Sequence, residues 1–165
     1  MKVLLAAMML AVSVPGVSAQ GAVFLVRHAE RADMGTAAAA TMSPDPELSP
    51  TGHQRAESLA AMLRDARVTA IFASEFKRTQ QTAAPLAKAL GLDVTTVKSN
   101  EPHRLLQLVR AATGNVLVVG HSNTVPDIIQ GLGVSDRVTI AETEYDNLFV
   151  VSPGSPPRMI RLRYR

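Results

Sequence analysis

Short apolar runs alternate with segments of helical periodicity along most of this 165-residue chain, and that alternation limits the fold more than any other feature. Residues 22–26 (Ala-Val-Phe-Leu-Val), 68–73, 94–97 and 116–120 (Val-Leu-Val-Val-Gly) read as strands of the kind buried on both faces of a parallel sheet. Between them, Ser49 can cap a helix with Pro50 at its first position, and Ala56, Leu59, Ala60 and Leu63 follow at helical spacing. A second helix covers residues 77–90, buried through Ala83, Leu86, Ala87 and Leu90 and stopped by Gly91, with a kink or local break expected at Pro85. Leu105, Leu108, Val109 and Ala112 mark a third helix, and a short fourth runs from Thr124 to Gly131. Strands at 147–151 and 158–164 close the chain. The predicted class is α/β, a three-layer α/β/α sandwich around a mainly parallel sheet.

The length suits one domain, and 47% hydrophobic with 19% charged residues is the composition of a globular chain. A formal charge of +3 does not mark a nucleic-acid binder, and no nucleic-acid partner is expected. With no cysteine, disulfides, thiol nucleophiles and thiolate metal sites are excluded together. Lys2, an apolar run over residues 3–14 broken only by Ser13, and Val17-Ser18-Ala19 before Gln20 read as a signal peptide. The run is too short for a membrane span, so no stable membrane insertion is expected after processing. The expected division is accordingly 1–19, signal peptide, and 20–165, a single folded domain, with a secreted or periplasmic location expected. Residues 33–47 break all periodicity and read as a surface loop over the site.

In open α/β sheets, ligands bind beyond the carboxyl ends of the strands. Those ends carry Arg27-His28-Ala29-Glu30-Arg31, then Ser74 to Thr82 with Arg78, then Ser99-Asn100-Glu101, and finally His121-Ser122-Asn123-Thr124. Two histidines, at least two arginines and a carboxylate on one edge suit a phosphoryl group: guanidinium forks match phosphate oxygens, and imidazole serves as nucleophile or donor near neutrality. No His-Glu-x-x-His element is present, so no metal site is expected. Arg158, Arg161, Arg163 and Arg165 alternate with Ile160, Leu162 and Tyr164, which reads as a strand with one solvated face or, alternatively, an anionic-surface contact.

Arg27-His28-Ala29-Glu30, the stretch Leu48-Ser49-Pro50-Thr51-Gly52-His53-Gln54, Ser74 with Arg78-Thr79-Gln80-Gln81-Thr82, and Gly120-His121-Ser122-Asn123 resemble the histidine phosphatase superfamily. The likeness is to a compact member of its phosphoglycerate-mutase-like branch. The resemblance implies that His28 becomes phosphohistidine, that Arg27 and Arg78 grip the equatorial oxygens, and that His121 donates to the same oxygens. It implies no cofactor. Asn123 either binds phosphate or caps the following helix. The family's usual acid segment is abbreviated here, which leaves Glu101 as the expected proton donor and Glu30 as the runner-up. His53 and His103 read as surface or structural. The function expected is an exported, metal-independent phosphomonoesterase, with a catalytically silent phosphate-binding module as the alternative. Its partner would be a small phosphorylated substrate, either a broad set of phosphomonoesters or an envelope sugar phosphate.

Overall fold

The computed structural model describes residues 20–33 and 44–164. The proposed signal peptide, the middle of the 33–47 loop and Arg165 lie outside the described residues. The elements follow the sequence reading: β1 (Gln20–Arg27), α1 (Pro50–Leu63), β2 (Val68–Ala73), α2 (Lys77–Leu90), β3 (Val94–Thr96), α3 (Pro102–Ala111), β4 (Gly114–Gly120), α4 (Thr124–Gly131), β5 (Asn147–Ser152) and β6 (Arg158–Arg163). They form one six-stranded sheet in the order β3-β2-β4-β1-β5-β6. β3, β2, β4 and β1 are mutually parallel, whereas β5 runs antiparallel to β1 and β6 antiparallel to β5, so the sheet is mixed with a parallel centre.

Alternation along the central strands sends apolar side chains to both faces. Leu25, Val116, Val118 and Phe149 pack with Val109, Ile128 and Ile129 of α3 and α4. Val26, Ile71, Leu117 and Leu148 pack with Leu59 and Leu63 of α1 and Leu86 of α2 on the other face. These runs read as continuously apolar because both faces are covered.

Local chemistry fixes the helix ends. Ser49 Oγ accepts the Gly52 N–H at 3.0 Å, with Pro50 at the first helical position. Gly91, at φ 66°, ends α2 in the left-handed conformation that glycine adopts without strain. The break expected at Pro85 does not occur: α2 continues through it. Thr82, Ala83, Leu86 and Ala87 are buried on both sides of the proline, and that packing outweighs one missing hydrogen bond. β1 and β4 each begin two residues before their apolar runs, because Gln20 and Gly114 pair with one another through backbone alone.

The topology decides where chemistry can occur. Arg27 pairs with Gly120 and Ala73 with Val119, so β1, β2 and β4 end level with one another. Val97, just after β3, donates to the Ala73 carbonyl at 3.0 Å, bringing the fourth end into line. Antiparallel β5 starts at this same edge, and so the residues before Asn147 arrive there too.

Candidate active site

His28 leaves β1 with its N–H bonded to the Gly120 carbonyl at 2.9 Å and is only 3% exposed. Its Nδ1 lies 2.8 Å from the Ala29 carbonyl oxygen. A carbonyl can only accept, so Nδ1 carries the proton and Nε2 keeps its lone pair. Burial pushes the His28 pKa down to about 3; the Ala29 bond opposes this, while His121, Arg78 and Arg27 add to it. Ala29 is itself held: its N–H donates to Thr82 Oγ1 at 3.0 Å, and that hydroxyl donates to the Arg78 carbonyl at 2.7 Å. Helix α2 therefore positions the peptide that orients His28.

His121 follows β4, its ring 5.3 Å from that of His28 and edge-on to Phe76. Its Nε2 is 2.9 Å from Ser74 Oγ, which is 2.8 Å from Thr79 Oγ1. Burial lowers its pKa to about 4, Arg78 adding and Glu75 opposing. Both histidines are neutral at neutral pH in the unliganded site.

Each arginine of the pair lies over an aromatic face, Arg27 over Tyr145 and Arg78 over Phe76, both at 4.3 Å. Arg27 Nη1 donates to the carbonyls of Ala141 and Glu142 at 2.8 and 2.9 Å, and Nη2 meets the Glu142 carboxylate at 3.1 Å. The Nε atoms of Arg27 and Arg78 are buried without a partner. Buried guanidinium nitrogens left unpaired beside a cleft are suited to an anion that completes their bonding.

These groups line one cleft of about 380 Å³ with Arg31, Ser99, Asn100, Ser122, Asn123, Thr124 and Glu142. Arg27, His28, Arg78, His121 and Asn123 thus all line this one cleft. Asn123 makes no side-chain cap bond at the start of α4 and lines the cleft. Glu101 is placed differently: the cleft wall stops at Asn100, and the Glu101 carboxylate pairs with Arg104 at 3.1 Å. Glu30 is bound by Arg55 at 2.6–2.9 Å. His53 and His103 are exposed.

Sequence reasoning missed Phe76, Tyr145 and Glu142. Tyr145 and Glu142 sit in a stretch without apolar period, and only the antiparallel course of β5 delivers it to the site. The base of the 33–47 loop is pinned beside the cleft by Ala32 N–H to the Glu47 carbonyl at 2.9 Å and by Asp45, 3.7 Å from Arg78. Among the described residues, no group of three or more His, Asp or Glu is arranged to hold a metal ion.

A family model for the histidine phosphatase superfamily (branch 1) matches residues 23–99. No protein of curated function matches the chain in sequence. Among solved structures, one assigned as the phosphohistidine phosphatase SixA of Agrobacterium tumefaciens is 23% identical with a TM-score of 0.67, the match covering 87% of this chain and 98% of that one. A structure assigned as an α-ribazole-5′-P phosphatase from Escherichia coli K-12 is 14% identical with a TM-score of 0.68, covering 88% and 97%. A mycobacterial glucosyl-3-phosphoglycerate phosphatase is 13% identical with a TM-score of 0.64, covering 87% and 98%. At these identities the likenesses establish the fold.

Proposed function

We propose that the chain, whose residues 23–99 match the histidine phosphatase superfamily model, is a phosphatase that hydrolyses small phosphomonoesters through a phosphohistidine on His28, without a metal. The observation that carries this reading is the His28 ring itself. Its Nδ1–H is held by the Ala29 carbonyl, and its unprotonated Nε2 sits among Arg27, Arg78 and His121. A lone pair fixed in direction, in a cleft lined by cationic donors, is what in-line attack on phosphorus requires.

In this reading Arg27 and Arg78 take the equatorial oxygens through their unpaired Nε atoms, and His121 and Asn123 add donors. Loss of one such preorganised donor costs roughly 3–4 kcal/mol in the barrier. The similar structures bear the names of a phosphohistidine phosphatase, an α-ribazole-5′-P phosphatase and a glucosyl-3-phosphoglycerate phosphatase. That spread supports a small phosphorylated substrate here. Export to the periplasm or beyond is proposed from residues 1–19 alone; amino-terminal sequencing of the secreted chain tests it.

The deciding measurement is hydrolysis of para-nitrophenyl phosphate by the purified chain in EDTA, beside His28→Ala. Turnover in EDTA that disappears in the variant is the expected result. Turnover that survives His28→Ala refutes the mechanism, and phosphate binding without turnover in the unmutated chain would favour the binding-module alternative.

A further inference from the structure

We propose that Glu142 is the acid that protonates the leaving oxygen and later the base that activates water. The inference rests on the phosphohistidine reading above. It starts from the cleft's composition: among the described residues lining it, Glu142 is the only carboxylate. Its side chain is 78% exposed, while His28 lies 3% exposed at the floor. In-line transfer puts the leaving group opposite the nucleophile, hence on the open side where Glu142 stands.

The backbone beneath Glu142 is held while its side chain projects into solvent, 78% exposed. Arg27 fastens the Ala141 and Glu142 carbonyls, and the Ala141 N–H donates to Glu144 Oε2 at 2.9 Å. Glu144 is bound in turn by Arg161 and Arg163 of β6 at 3.1 and 2.8 Å. The charged and titratable groups that line the cleft with Glu142 are Arg27, His28, Arg31, Arg78 and His121; Ser122 Oγ lies 3.4 Å from its carboxylate.

The Glu142 carboxylate lies 3.1 Å from Arg27 Nη2, on the guanidinium that the phosphohistidine reading assigns to the phosphate. In the first step the His28 Nε2–P bond forms, the P–O bond to the leaving group breaks, and the Glu142 proton passes to the leaving oxygen. In the second, water attacks phosphorus, its proton returns to Glu142, and the Nε2–P bond breaks to release phosphate.

The test compares Glu142→Gln and Glu101→Gln with the unmutated chain on para-nitrophenyl, phenyl and alkyl phosphates. Glu142→Gln keeps both carbonyls that hold Arg27, and its unfolding midpoint serves as the folding control. Expected in kcat/KM, the quantity compared on all three esters because it reports the first transfer and not the hydrolysis of phospho-His28, is a change within about threefold on the nitrophenyl ester and a loss of roughly 10²–10⁴ on the alkyl ester. Equal losses on all three esters, leaving-group dependence in Glu101→Gln instead, or tighter phosphate binding with unchanged rates would each overturn the assignment. If His28→Ala retains turnover, the phosphohistidine reading itself has failed; if only the Glu142→Gln pattern is absent, the acid assignment alone has.

Discussion

The Ala29 peptide is the joint on which His28 depends, and Thr82→Val tests it. Thr82 and Ala29 are both fully buried, and Thr82 Oγ1 accepts the Ala29 N–H at 3.0 Å. Valine keeps the shape of threonine, so no cavity opens, but the Ala29 N–H loses its acceptor. The Arg78 carbonyl loses the Thr82 hydroxyl at 2.7 Å yet keeps its place inside α2, so that part of the change is small. An unsatisfied buried donor costs about 1–3 kcal/mol. At roughly 3–4 °C per kcal/mol for a domain of this size, the central value lowers Tm by about 6–8 °C. The same change frees the peptide whose carbonyl fixes His28 Nδ1 at 2.8 Å, so turnover falls as well. Thr82→Ser supplies the contrast. It loses a buried methyl, about 1 kcal/mol, but keeps the acceptor. Thermal unfolding and para-nitrophenyl phosphate hydrolysis on both variants should show two destabilised proteins of which only Thr82→Val is catalytically impaired. Wild-type stability and rate in Thr82→Val, or equal catalytic loss in both, would refute the reasoning.

Three further outcomes are expected. Ser74→Ala removes the hydroxyl 2.9 Å from His121 Nε2; steady-state kinetics should show kcat/KM down by about tenfold, the rate equivalent of 1.4 kcal/mol, with weaker inhibition by vanadate. Gly52→Ala drives a Cβ to 2.2 Å from the Glu30 carbonyl oxygen, so α1 must shift, and denaturant unfolding should report a loss of about 1–3 kcal/mol. His28 titrates at about 3 in the folded chain against an ordinary 6.5, so the unfolded state binds more protons as pH falls. Stability is therefore full above the unfolded value and declines through the window between the two; going from pH 6.5 to about pH 5 should cost roughly 1.5–2 kcal/mol, a loss that His28→Gln relieves in urea unfolding.

The parts legible in the sequence are those that local chemistry fixes. β2 and α2 have their observed limits because apolar period and the Gly91 stop mark them without ambiguity. The rule that ligands gather at strand ends located His28, Arg78 and His121 before any geometry was known. What could not be read was set by contacts between distant residues. Phe76 gives no local sign that it supports both Arg78 and His121. Glu101 follows the third strand as an acid might, but only the structure shows its carboxylate turned to Arg104. The helix itself was read across Pro85, but the expected break fails to occur because residues are buried on both sides of the proline, a tertiary fact.

The C-terminal arginines join these two levels. As a pattern, alternating Arg and apolar residues read as a solvated strand face. In the fold the register Asn147 to Arg163 and Phe149 to Arg161 sets two of them beside the start of β5. There Arg161 and Arg163 bind Glu144, Arg163 also binds Asp146, and Glu144 closes back on the Ala141 N–H. Arg27 reaches the same short segment from β1 through the carbonyls of Ala141 and Glu142. The segment is thus clamped between a cleft-lining arginine and two arginines of the edge strand. Exposed ion pairs contribute little to stability one by one. Their service here is to hold Tyr145 under Arg27 and Glu142 at the cleft mouth, a matter of position rather than energy. An edge strand that lines no part of the cleft thereby determines where the guanidinium and the carboxylate of the site can stand.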